Sequence, residues 1–140
     1  MSAADTKALT AHGDDFHGEA THQDGVLTMR LVGVADYGAV DVLELFLDDV
    51  HAECQRAGVK HVSVDLLRLE FMNSSCFKCL VSWITILQET PRASQYQVTF
   101  VSNPQLHWQK RSLHSLRCFA EDLITVHQGG SPGSPGSSST

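Results

Sequence analysis

Residues 26–32 alternate strictly. Val26, Thr28, Arg30 and Val32 fall on one side, and Leu27, Met29 and Leu31 on the other. A period of two with one apolar side predicts a half-buried strand. Asp24-Gly25 just before it is a favourable hairpin turn, so the weaker segment 16–22 is expected to pair with it antiparallel. The period then lengthens. Val40, Leu43, Leu47, Val50 and Cys54 recur at helical spacing and predict a helix over about 39–56, opened by Tyr37-Gly38 and closed by Gly58. Asp41, Glu44 and Asp48 lie together on another side of that helix.

A branched strand follows over 61–66, and Leu69 to Met72 carries the apolar path on to Asn73-Ser74-Ser75. A second helix is expected over about 75–89, with Leu80, Ile84 and Leu87 inward, Ser74 as its cap and Pro91 beyond its end. Tyr96 to Val101 predicts another strand, and Ser102-Asn103-Pro104 a turn. A third helix is expected over about 105–118, with Leu106, Leu113, Leu116 and Phe119 as core contacts, and a last strand over 123–127.

The order β-β-α-β-α-β-α-β calls for an α/β fold with parallel pairing after the first hairpin. Three helices serving a mixed four- to five-stranded sheet are expected mainly on one face. The folded domain is expected over 15–128. Residues 1–14 are polar and aperiodic and read as a flexible leader. Residues 129–140, GGSPGSPGSSST, read as a disordered tail or linker.

The chain has 140 residues, 42% of them hydrophobic and 19% charged, which suits one domain with a real core. No apolar run approaches the ~20 residues of a membrane span, and the first residues lack the apolar core of a secretory signal, so a cytoplasmic location is expected. The net charge is −6, and Asp36, Asp41, Glu44, Asp48, Asp49 and Glu53 follow one another without an intervening Lys or Arg. That stretch reads as a solvated helix side or a charge-steered docking surface, and it disfavours nucleic acid as a partner.

Cys76-Phe77-Lys78-Cys79 has redox spacing, but the element order is not that of thioredoxin, and small buried apolar residues are the simpler reading. His107 and His114 are two turns apart and read as surface histidines rather than half of a metal site. Trp83 and Trp108 fit either a core or a contact surface. No glycine-rich phosphate loop or nucleophile elbow is present, the Glu121-Asp122 pair is of a kind common on surfaces, and no catalysis or cofactor is expected.

Two segments go beyond generic patterning. Residues 26–36, VLTMRLVGVAD, resemble the opening of STAS domains, in which an amphipathic strand ends in Gly, two variable residues and Asp. Residues 62–75, VSVDLLRLEFMNSS, resemble the strand, loop and phosphoacceptor motif of the anti-sigma-factor antagonists (SpoIIAA-like), commonly Asp-Ser-Ser-Gly or Asp-Ser-Thr-Gly. Here Asn73 stands for the Asp and Cys76 for the Gly. Asn73-Ser74-Ser75 with Lys78 and Leu80 is also similar to the SiaC-type branch of partner switches.

The resemblance implies a non-enzymatic partner-switch regulator. Its partner would be a kinase-like anti-sigma factor or related protein that phosphorylates Ser74, and a phosphatase would reverse the modification. Asp36, Asn73, Ser74, Ser75 and Lys78 would form the contact. An alternative is a STAS-like sensor or scaffold without phosphorylation, and a thiol redox enzyme using Cys76 and Cys79 is a third. A phosphoserine adds about −1.5 to −2 charge. A helix N-terminus tolerates that charge, so binding would change while the fold survives.

Overall fold

The computed structural model describes residues 8–129. The Asp24-Gly25 turn joins β2 (Phe16–Gln23) to β3 (Val26–Ala35), with both turn residues at positive φ, 55° and 82°. These are the angles of a two-residue turn whose twist matches the strands it connects. β1 (Leu9–His12) pairs antiparallel with β2 on its far side. After β3 the chain alternates. α1 (Val40–Ala57) leads to β4 (His61–Met72), α2 (Ser74–Glu89) to β5 (Gln97–Ser102), and α3 (His107–Phe119) to β6 (Ile124–Gln128). The sheet order is β1-β2-β3-β4-β5-β6, parallel from β3 onward.

The expected fold class is therefore found, with six strands in place of four to five. The sixth, β1, starts inside the segment that reads as a leader, whose first seven residues lie outside those described, as does the tail after Gly129.

The alternation of β3 places Leu27, Met29 and Leu31 in the core and leaves Thr28 and Arg30 on an open face. Val62, Val64 and Leu66 of β4, Val98 and Phe100 of β5, and Ile124 of β6 are buried with them. From the helices come Leu43, Phe46, Leu47 and Val50 of α1 and Leu80, Ile84 and Leu87 of α2. Each such side chain contributes about 1.5–3 kcal/mol on removal from water.

Two polar clusters inside this core are paired. The Tyr96 hydroxyl oxygen accepts from Trp83 Nε1–H at 2.9 Å and lies 2.8 Å from His51 Nδ1, so α1, α2 and the entry to β5 share one oxygen. Burial drives the Tyr96 hydroxyl pKa up and that of His51 down. Trp83 is therefore core rather than contact surface.

Gln109 is fully buried and donates to the carbonyls of Leu66 and Leu69 at 2.7 and 3.0 Å, while its oxygen accepts from Asn103 N–H at 2.8 Å. These bonds satisfy the irregular stretch of β4 between Asp65 and Leu69 and fix α3 against it. Trp108 Nε1–H adds a bond to the Glu70 carbonyl.

Two expectations are corrected here. Phe119, the last residue of α3, is exposed rather than a core contact. Glu53 does not belong to a solvated helix side. It is buried, held by Arg56 Nε at 3.0 Å and Nη2 at 2.6 Å, and its Oε2 lies 2.7 Å from His22 Nε2, close but poorly aligned for a hydrogen bond. The Arg56 hydrogen bonds hold its carboxyl below the usual range against the opposing effect of burial. No described helix is long and apolar enough to cross a membrane.

Candidate functional site

The site lies where β3 and β4 end side by side. Ala35 pairs with Met72, and Asn73 N–H donates to the Ala35 carbonyl at 2.9 Å, so the loops after both strands start from one fixed point. Asp36 then caps a short turn, Tyr37–Ala39, its Oδ1 accepting from Gly38 N–H at 3.0 Å. Across from it, Cys76 Sγ–H donates to the Asp36 carbonyl at 3.3 Å. The residue standing for the family's Gly thus ties the α2 entry to the Asp36 loop.

Gly33 sets the course of this loop. Its φ is +99°, and a Cβ there would lie 2.1 Å from the Asp15 carbonyl oxygen, which accepts from Val34 N–H at 2.8 Å. Only glycine allows the β2 and β3 backbones to approach so closely. Beyond them, Asp14, Asp15, Asp36 and Tyr37 line an open cleft of about 280 Å³.

The cap of α2 is Asn73, whose Oδ1 accepts from Cys76 N–H at 2.8 Å, and not Ser74 as the sequence suggested. Two capping residues stand in succession, and the end of β4 selects the first. Ser74 is consequently the first helical residue, exposed, and its hydroxyl makes no hydrogen bond among the described residues. Lys78 is exposed one turn further on, on the same side as Ser74. Asn73 and Ser75 are half-buried. Asp36, Asn73, Ser74, Ser75 and Lys78 thus all lie at one end of the molecule.

Sequence reasoning missed the exposed aromatics next to them in the chain. Tyr37 is 80% exposed, and Phe71 is exposed as well. An aromatic beside each half of the motif was the available signal. Asp41, Glu44 and Asp48 reach close enough to raise the Cys79 thiol pKa, in addition to the larger effect of burial, so a carboxylate row borders the first turns of α2.

The thiols themselves are poorly suited to chemistry. Cys76 is fully buried, with its pKa pushed up to about 11 by burial, by Cys79 and by Asp36, and Cys79 is also buried. A thiolate nucleophile needs the opposite environment. Among the described residues no His, Cys, Asp and Glu side chains cluster as a metal site would require.

No protein-family profile matches the chain, and neither does any curated protein. Solved structures do. An anti-sigma factor antagonist from Mycobacterium paratuberculosis superposes with a TM-score of 0.55 at 18% identity, over 90% of this chain and 89% of that one. The anti-sigma factor antagonist SpoIIAA in its unphosphorylated form aligns with a TM-score of 0.49 at 16% identity, over 78% of this chain and 86% of that one. The element order, the single helical layer and the first of these superpositions agree: the chain has a STAS-like fold.

Proposed function

We propose that the chain is a non-enzymatic partner-switch regulator. It docks a kinase-like anti-sigma factor or related protein through the end of the molecule that carries Ser74, and phosphorylation of Ser74 releases it. The resemblance of the 62–75 segment to the phosphoacceptor motif supports this reading, as does the fold shared with a protein described as an anti-sigma factor antagonist. The observation that carries it is the placement of Ser74: exposed, with no hydrogen bond to its hydroxyl among the described residues, and next to a cap supplied by Asn73.

Such a hydroxyl can enter a kinase site without disturbing the helix. A phosphate there meets the free N–H groups of the first helical turn and the ammonium of Lys78. The fold therefore persists while the contact does not. A dianion within the docking contact would have to lose its water when the partner docks, and a penalty of about 3 kcal/mol weakens binding more than a hundredfold. Asp41, Glu44 and Asp48 would steer a partner with basic side chains toward the same end. A phosphatase would reset the switch in the cytoplasm, and the output would be control of transcription or of a related signalling path.

The test is a pull-down from the native cell with wild type and Ser74→Glu side by side, joined to intact-mass analysis of wild type and Ser74→Ala after incubation with the captured kinase and ATP. A single phosphate on wild type, none on Ser74→Ala, and loss of one partner with Ser74→Glu are expected. A partner held equally by wild type and Ser74→Glu overturns the switch.

A further inference from the structure

The chain has no carboxylate between Glu89 and Glu121, although its net charge is −6. Within that interval α3 presents His107, Lys110, His114 and Arg117, spaced three, four and three residues apart, as one exposed stripe. Neither the Lys110 nor the Arg117 side chain has a hydrogen-bond or ion-pair partner among the described residues. The stripe forms one wall of an open groove of about 460 Å³. Val126 and Gln128 of β6 form the other wall, and the 102–104 turn closes one end.

β6 is the last strand of the sheet, so among the described residues its outer edge pairs with nothing. Edge strands are commonly protected by Lys, Pro or an inward charge. Ile124–Gln128 contains no Lys, Arg, Asp, Glu or Pro. The two walls also match in length. Thirteen helical residues span about 20 Å and five strand residues about 17 Å.

We propose that this groove is a second docking site, which takes an extended acidic segment of a partner protein as a seventh strand beside β6. The edge supplies backbone N–H and C=O groups, and alternate side chains of the incoming strand point toward α3. Acidic residues at those positions meet Lys110 and Arg117, with His107 and His114 adding to the stripe. Apolar contact comes from Val126.

Charge decides between occupants. A second copy laid edge to edge would bring two cationic stripes together. A nucleic acid would need a basic surface continuing past the groove, and this chain is acidic elsewhere. The site lies at the opposite edge of the helical layer from α1 and does not involve Ser74, so it stands or falls apart from the phosphorylation switch.

The experiment is an amide-resolved NMR titration of the full chain with the synthetic peptide Glu-Val-Glu-Val-Glu-Val-Glu and its Lys-for-Glu counterpart. Saturable shifts confined to 124–128 and α3 are expected from the acidic peptide alone. The double variant Lys110→Glu/Arg117→Glu should weaken binding about tenfold, and the milder Lys110→Gln/Arg117→Gln about threefold, while Ser74→Glu changes nothing. Absence of shifts in β6, or equal binding by the double variant, overturns the proposal. So do the same saturable shifts with inorganic phosphate alone, displacement of the peptide by a single-stranded oligonucleotide, or a concentration-dependent dimer that masks the same amides.

Discussion

Asn73 Oδ1 accepts the backbone N–H of Cys76 at 2.8 Å, and this bond relieves Ser74 of any part in holding the helix. The two neighbours should separate cleanly in urea denaturation. Asn73→Ala is expected to cost about 1 kcal/mol, the usual value of a lost cap. Asn73→Asp should cost nothing, since it keeps the acceptor and places a negative charge at a helix start. Ser74→Ala should fall within about 0.5 kcal/mol of wild type. A loss at Ser74 equal to that at Asn73 would contradict the capping assignment.

Thiol chemistry gives an independent measure of the core. Cys118 is exposed, whereas Cys54, Cys76 and Cys79 are buried, and burial pushes the Cys54 thiol up to about 12. Ellman's reagent at neutral pH is expected to label one thiol of the four rapidly and the other three only on unfolding. Rapid labelling of two or more would mean that the α2 entry opens readily.

Gly33 should be the least replaceable glycine. Gly33→Ala forces a side chain into φ +99° and against the Asp15 carbonyl, with an expected loss of at least about 2 kcal/mol. The damage should also reach the site, since Val34, Ala35 and Asp36 follow directly. Backbone amide shifts of 34–38 in the variant report on this, and unchanged shifts would disconnect Gly33 from the loop.

The buried carboxylate of Glu53 predicts a pH dependence. Arg56 lowers its pKa in the folded chain below the ordinary 4.5, so the unfolded chain takes up the proton first as pH falls. Its stabilising contribution is therefore complete above about pH 4.5 and is lost progressively below it. Glu53→Gln is expected to lower stability by about 1–3 kcal/mol at pH 7. The gap to wild type should narrow as pH drops below 4.5, when measured by urea denaturation at several pH values. A gap that stays constant with pH would assign the loss to packing instead.

Much of the fold could be read from the sequence wherever one periodicity dominated. The alternation of 26–32, the stripe Leu43-Leu47-Val50 and the Asp24-Gly25 turn each stated their element locally. β1 could not be read, because Leu9-Thr10-Ala11-His12 has little apolar pattern and becomes a strand only through pairing with β2. Gln109 and Glu53 sat at core positions with polar side chains, so their burial depended on partners that periodicity does not reveal: the distant Leu66 and Leu69 carbonyls for one, the Arg56 guanidinium one helical turn on for the other. At the site, the exposure of Ser74 followed from its place at a helix start. The cap went to its neighbour because β4 runs as far as Met72, and the bond from Cys76 to Asp36 joins loops forty residues apart.

The hydroxyl of Tyr96 lies between Trp83 and His51 and so yokes the two helices that border the site. With that joint locked deep inside, α1 and α2 cannot readily slide or tilt against one another in response to an event at the rim. On the proposed switch, a phosphate on Ser74 would therefore act outward, as altered texture on an unmoved relief, and a binding protein would read it by touch rather than by a change of silhouette.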